Sequence, residues 1–167
     1  DVTGADLSEN SIAEASKFTN DKLHFKVHDM REPFEEKYDA IFNLFTSFGY
    51  FEDAADNFKT IKAIHNSLTE TGFAVIDFMN VDYVLENLVA DEVKSVDGID
   101  FHIKRYLKDG HIYKEIDFES KGEKFHFTEK VQALRLSDFE NIMEEAGIFL
   151  LDIFGDYKLR KFYKTQS

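Results

Sequence analysis

Apolar residues recur along the first half of the chain with two alternating periods, one suited to strands and one to helices. Residues 2–6 (Val2-Thr3-Gly4-Ala5-Asp6) read as a short strand. Ser8 is a natural N-cap for a helix over residues 9–18, with Ile12, Ala15 and Ser16 inward. Leu23, Phe25 and Val27 alternate with polar residues and predict a second strand, ending at His28-Asp29-Met30. A polar connection holding Pro33, the sole proline, leads to a third strand over residues 38–44, apolar enough for cover on both faces. After a loop at 45–52, Ala54, Phe58, Ile61, Ile64 and Leu68 fall at spacings of three and four, predicting a helix over 53–68. Thr71-Gly72 ends it, and residues 73–78 form a fourth apolar strand. Strands alternating with amphipathic helices predict an α/β fold with a mostly parallel sheet.

Beyond a short helix at 81–88 the rhythm changes. Residues 93–136 hold long strands separated by Asp97-Gly98, Asp109-Gly110 and, more weakly, Lys121-Gly122, all hairpin signals. The expectation is an antiparallel meander of about four strands, an insertion spanning 91–136 within a single domain covering 1–167. Ser137-Asp138-Phe139-Glu140 has the pattern of a capping box. The helix it opens has Phe139, Ile142, Met143 and Ala146 inward and is closed by Gly147. Residues 148–154 predict a last strand, and 157–167 a polar, basic loop.

Composition narrows the function classes. Apolar residues make up 43% of the 167, which is globular rather than disordered. The 33 Asp and Glu against 20 Lys and Arg give a net charge of −13, a surface that repels phosphate backbones and anionic lipid. Nucleic acid and membrane are therefore not expected partners. The absence of Cys excludes disulfides, thiol catalysis and cysteine metal sites, and fits a reducing cytoplasm.

A parallel α/β sheet binds ligands outside the carboxyl ends of its strands, and three such ends carry suggestive residues. Asp6 could accept from both hydroxyls of a ribose, with Leu7 against an adenine; the alternative is a turn or helix-capping Asp. Asp29 could accept from an exocyclic amine while the Met30 amide serves a ring nitrogen, or it could simply face solvent. The third end is Asn43-Leu44-Phe45-Thr46-Ser47-Phe48-Gly49-Tyr50-Phe51, whose four aromatics suit a sulfonium or ammonium centre. Its alternative is a hydrophobic loop covering a helix end.

In their order and spacing these segments resemble the class I S-adenosylmethionine-dependent methyltransferases of the small-molecule type. The likeness runs from Asp6-Leu7-Ser8 through Asp29-Met30-Arg31 and Tyr38-Asp39-Ala40-Ile41 to the 44–51 loop. It continues through Leu68-Thr69-Glu70-Thr71-Gly72-Phe73 and Leu136-Ser137-Asp138-Phe139 to Ala146-Gly147. The resemblance implies a Rossmann-like sheet with helices on both faces and S-adenosylmethionine as cofactor. Asp6 and Leu7 would lie at its ribose and adenine, Asp29 and Met30 at the adenine, and Asn43, Leu44 and Phe45 near its methionine part. For the methyl acceptor, a small molecule, the candidates are Phe48, Tyr50, Arg105, Tyr106 and Tyr113. No catalytic base is identified; His28 and His111 are the candidates. The family's first strand and its glycine-rich loop have no counterpart in this sequence, and neither has the closing seventh strand.

Other readings stay open. A nicotinamide-dependent oxidoreductase also places an acidic residue after its second strand. A non-catalytic domain used for protein association is the other, and the meander could equally be a homodimer surface. A metal is not expected, because no His pair has helical ligand spacing, although His102, His111 and His126 could meet across the hairpins.

Overall fold

The computed structural model describes residues 1–163. Strand β1 (Val2–Asp6) is followed by helix α1 (Glu9–Ala15), whose cap is the expected one, with Ser8 Oγ accepting from Ser11 N at 3.2 Å. A 3₁₀ turn (Ser16–Phe18) occupies what the sequence predicts as the last turn of that helix. Strand β2 (Leu23–Val27) returns parallel to β1, in register from Val2 opposite Leu23 to Asp6 opposite Val27.

Strand β3 (Tyr38–Asn43), helix α2 (Ala55–Ser67) and strand β4 (Leu68–Ile76) form a second parallel unit. The fourth strand begins five residues earlier than the apolar run suggests. Between Tyr38/Leu68 and Ala40/Phe73 the ladder is irregular, and Gly72 sits in that irregularity. A Cβ on Gly72 would lie 2.9 Å from the Tyr38 carbonyl oxygen, so only glycine lets the two backbones approach so closely.

The expected continuous sheet is not formed. The parallel strands make two separate pairs, β1–β2 and β3–β4, and no ladder joins them. Each of the four strands thus has one edge without a strand partner among the described residues. The two pairs are instead joined by side chains, Arg31 Nη1 donating to Asp56 Oδ2 at 2.8 Å and Phe34 N donating to Ser67 Oγ at 2.9 Å.

Helix α3 (Val81–Glu86) leads into strands β5 (Asp91–Val96), β6 (Ile99–Lys108), β7 (His111–Ser120) and β8 (Glu123–Gln132). They form a four-stranded antiparallel sheet in sequence order, the meander that the turn dipeptides predict. Asp97-Gly98, Asp109-Gly110 and Lys121-Gly122 all have positive φ at both positions. That conformation matches the right-handed twist of the strands it joins.

Helix α4 (Leu136–Ala146) closes the core. Its cap is shifted by two residues from the expected one. Arg135 is the N-cap residue, and the Asp138 carboxylate accepts from Arg135 N at 2.7 Å, leaving Ser137 inside the first turn. Gly147 ends the helix with φ 80°, as expected. The strand expected at 148–154 is absent. That segment is irregular, with one bridge from Phe154 to Lys161, and its main chain pairs with no strand among the described residues, the open edge of β4 included. Of the loop expected at 157–167, residues 164–167 lie outside the described ones.

The core sits where α2 and α4 cross the β3–β4 pair: Phe48, Ile61, Ile64, Phe139 and Ala146 are buried, with Ile41, Leu68 and Ile76 packed against them. Helix α2 is buried on more than its apolar stripe. Asp56, Asn57, Thr60 and Ser67 are buried too, and each has a specific partner. Among the described residues no helix is long and apolar enough to cross a membrane.

Candidate functional site

The carboxyl ends of the strands meet along one rim. At the end of β1, His28 N donates to the Asp6 carbonyl at 3.0 Å, which brings the β2 loop alongside Asp6. At the end of β3, Asn43 Nδ2 lies 3.7 Å from Met30 Sδ. Beyond it, the Arg31 guanidinium lies 5.8 Å from the centroid of the Phe51 ring. Asp6, Met30–Arg31 and the 43–51 segment, far apart in sequence, are therefore contiguous.

Asp6 has two occupations. One oxygen, Oδ1, accepts from Ser8 N at 2.7 Å and so shapes the turn into α1; the other receives no donor among the described residues. Leu7 beside it is 66% exposed, an apolar side chain left at the rim.

Asp29 is held elsewhere than the sequence suggests. Arg31 N and Nε donate to Oδ1 at 3.0 Å each, while Nε and Nη2 reach Oδ2 at 3.1 and 2.6 Å. Those hydrogen bonds hold the Asp29 carboxyl down from its ordinary 3.8 to about 2. A carboxylate offers about four lone-pair sites, and Arg31 takes them. The same guanidinium reaches Asp56 Oδ2 of α2 at 2.8 Å, and Lys59 takes the other Asp56 oxygen at 2.6 Å. Bonding to Lys59 and Arg31 depresses the Asp56 carboxyl and lets it sit buried at the helix N-terminus.

Asn43 ends β3 at this junction. Its Oδ1 is buried without a hydrogen-bond partner in the structure. Leaving such an acceptor unpaired costs roughly 1–3 kcal/mol, and Asn57 Oδ1 and His111 Nε2 are buried in the same state.

Leu44 and Phe45 continue the rim. Phe45 and Thr46 are both left-handed, with φ 59° and 54°, and Phe45 is 80% exposed. Phe45 N donates to Asp77 Oδ2 at 2.8 Å, and Tyr157 Oη donates to the same oxygen at 2.8 Å. Asp77 follows β4 directly and was hidden in the sequence by the apolar run on either side of it. A cavity of about 1520 Å³ opens here, lined at this end by Leu44, Phe45, Asp77 and Tyr157, and running back between β4 and α4.

The acceptor candidates do not form one group. Phe48 is completely buried against Phe139, ring centroids 5.4 Å apart, and belongs to the core rather than to a substrate surface. Its neighbour Gly49 runs beside β8, its carbonyl accepting from Gln132 N at 2.8 Å. Arg105 and Tyr106 are adjacent on β6 and so project from opposite faces of the antiparallel sheet. Arg105 shares its face with the buried Ile103, Ile112 and Val131 and pairs with Glu92 at 2.7 Å. Tyr50 belongs with this face: burial, and then the charge of Glu129, push its phenol pKa up. Tyr106 and Tyr113 stack on the other face, 5.1 Å apart and 7° from parallel.

Each histidine base candidate has one ring nitrogen engaged by a backbone carbonyl. His28 stacks on Phe34 at 3.9 Å and its Nε2 lies 2.9 Å from the Glu32 carbonyl. His111 Nδ1 lies 2.8 Å from the Asp109 carbonyl, and its Nε2 is buried without a partner. His126 contacts Asp117 at 2.8 Å, and no cluster of three or more metal-ligating side chains occurs among the described residues.

A second network ties the meander to the rim. Gln132 Nε2 donates to the Phe51 carbonyl at 2.8 Å, and Asn57 Nδ2 of α2 donates to Gln132 Oε1 at 2.5 Å. Glu52 and Lys130 pair at 2.7 Å beside them.

No family model matches the sequence, and no curated protein matches it. Solved structures do. An S-adenosylmethionine-dependent methyltransferase from Clostridium acetobutylicum superposes with a TM-score of 0.84 at 22% identity, covering 98% of this chain and 70% of that one. The CcbJ methyltransferase from Streptomyces caelestis gives 0.81 at 13% identity, with 99% and 70% covered. S-adenosylmethionine-bound CalS10, an amino pentose methyltransferase from Micromonospora echinaspora, gives 0.72 at 16% identity, with 95% and 70% covered. The chain has the α/β fold of the class I S-adenosylmethionine-dependent methyltransferases.

Proposed function

We propose that this protein binds S-adenosylmethionine along the rim and transfers its methyl group to a small-molecule acceptor. The observation that carries the reading is the buried, unpaired Asn43 Oδ1 at the point where the β2 loop, the β3 end and the aromatic loop converge. An acceptor atom in that position suits the donor groups of the cofactor's amino-acid part. The free oxygen of Asp6 suits a ribose hydroxyl, and exposed Leu7 suits the flat face of an adenine. Asp29 then serves the adenine pocket indirectly. Saturated by Arg31, it shapes the loop that presents the Met30 backbone. This fold is that of CalS10 and of the sugar N-methyltransferase KedS8, and both act on small molecules.

The bound cofactor would supply an activated methyl on a sulfonium, ready for in-line displacement. The chain's part is to hold the two reactants in line and exclude water, which can lower the barrier by roughly 7–11 kcal/mol. A neutral amine attacks with its own lone pair and releases its proton to solvent afterwards, so no base need act first.

Isothermal titration calorimetry of the protein with S-adenosylhomocysteine and, separately, with NAD tests the reading. Saturable binding of the first and not the second is expected. Binding of NAD alone would replace this reading with a nicotinamide-dependent one.

A further inference from the structure

The Phe45–Thr46 turn has no explanation in packing. Two consecutive residues with side chains occupy the left-handed region, which L residues seldom adopt, and neither is glycine. A large aromatic is thereby held 80% exposed, so the arrangement recovers nothing by burial. Non-glycine residues held in such conformations cluster at ligand clamps and active sites, where surrounding contacts enforce them. Here the main enforcing contact is the Asp77 side chain. Asp77 N donates to the Asn43 carbonyl at 2.8 Å, extending the β3–β4 ladder one residue past its end and fixing where the Asp77 carboxylate starts. From that anchored position Oδ2 accepts the Phe45 amide at 2.8 Å, and Tyr157 closes on the same oxygen. Ser47 Oγ, donating to the Leu44 carbonyl at 2.8 Å, ties the turn from its other side.

We propose that Asp77 is a positioning residue: its carboxylate holds the Phe45–Thr46 turn so that the Phe45 ring walls the sulfonium end of the cofactor site. The inference rests on the cofactor reading above and adds a discrimination to it. An aromatic face attracts a cation more strongly than a neutral thioether. A correctly held Phe45 therefore favours S-adenosylmethionine, which carries the positive sulfonium, over S-adenosylhomocysteine, which does not. Asp77 acts on that preference through Phe45.

Calorimetric affinities for both compounds, measured on the full chain and its variants, test this. In Asp77→Ala the affinity for S-adenosylmethionine should fall about tenfold, the size of a desolvated cation–π contact, while that for S-adenosylhomocysteine stays within about twofold. Phe45→Ala should reproduce that pattern, and the double variant should add nothing to it. Asp77→Asn keeps a carbonyl oxygen for the Phe45 amide and should restore the preference. An equal loss of both ligands in Asp77→Ala would reduce the turn to a structural role and overturn the proposal. Failure of Asp77→Asn to rescue would also overturn it, since the carboxylate charge itself would then be binding the sulfonium. A ligand-free readout stands beside these: the Phe45 amide should exchange slowly in the parent protein and in Asp77→Asn, and fast in Asp77→Ala. Fast exchange in the parent protein defeats the proposal even if the cofactor binds, whereas slow exchange without any cofactor binding defeats the functional reading.

Discussion

Arg31 and Phe51 meet face to edge of two structural units: the guanidinium that saturates Asp29 lies 5.8 Å from the centroid of the Phe51 ring, while its third arm reaches Asp56 of α2. One side chain thus connects the β2 loop, the aromatic loop and the start of α2. Arg31→Ala leaves Asp29 without its partner and the buried Asp56 with Lys59 alone. The expected result is a thermal midpoint lowered by about 3 °C or more, and weaker S-adenosylhomocysteine binding. Arg31→Lys should recover little of this, because an ammonium lacks the planar fork that serves both carboxylates at once.

The Asp29 carboxyl, held down to about 2, sets an acid limit. A group whose folded pKa is depressed contributes stability above its unfolded pKa and loses it as pH falls through the folded value. Chemical denaturation followed between about pH 5 and pH 2 should show stability falling across the interval from the ordinary value of 3.8 to about 2. In Asp29→Asn this component of the slope should disappear.

Phe48 and Phe45 lie three residues apart in one aromatic loop and should respond oppositely. Phe48→Ala removes a ring with no exposed surface and should cost about 3–5 kcal/mol, enough to unfold a marginal protein. Phe45→Ala should change the unfolding free energy by no more than about 0.5 kcal/mol. Urea titration of the two variants measures the difference. Equal destabilisation would mean that the loop is core throughout.

The Asn57–Gln132 hydrogen bond joins α2 to the last meander strand in a buried setting. Gln132→Ala strands the Asn57 amide and frees the Phe51 carbonyl, and should cost roughly 1–3 kcal/mol. Hydrogen exchange should quicken in residues 49–52 and at the carboxyl end of β8 before it changes in β6. A uniform change over the whole molecule would show that the meander does not open separately.

Much of the fold is legible in the chain because backbone signals are local. Paired positive-φ dipeptides announce all three hairpins, and Ser8 and Gly147 mark helix ends by their own chemistry. What escapes is what depends on neighbours distant in sequence. The residues at 148–154 have a strand's composition, but composition alone does not bring a main chain into register with a neighbour's edge. The polar half of α2 looks solvent-facing until Arg31, Gln132 and the Phe34 amide arrive as partners for Asp56, the Asn57 Nδ2 group and Ser67. Asp77 reads as one polar residue in an apolar run, and nothing local tells that its partner is Phe45. The separation of Arg105 from Tyr106, by contrast, follows from strand alternation alone. The Arg31 grip on Asp29 also lies within two residues, though spacing by itself does not say which way the guanidinium turns.

The β1–β2 pair and the β3–β4 pair share no main-chain hydrogen bond among the described residues. They are joined through side chains: Arg31 to Asp56, Phe34 N to Ser67 Oγ, and Asn43 to Met30. A seam of side-chain contacts of this kind can open locally at less cost than a continuous main-chain ladder. A molecule lying across Asp6 and Asn43 would fasten both margins of that seam. Its grip would slow the opening of residues it never touches.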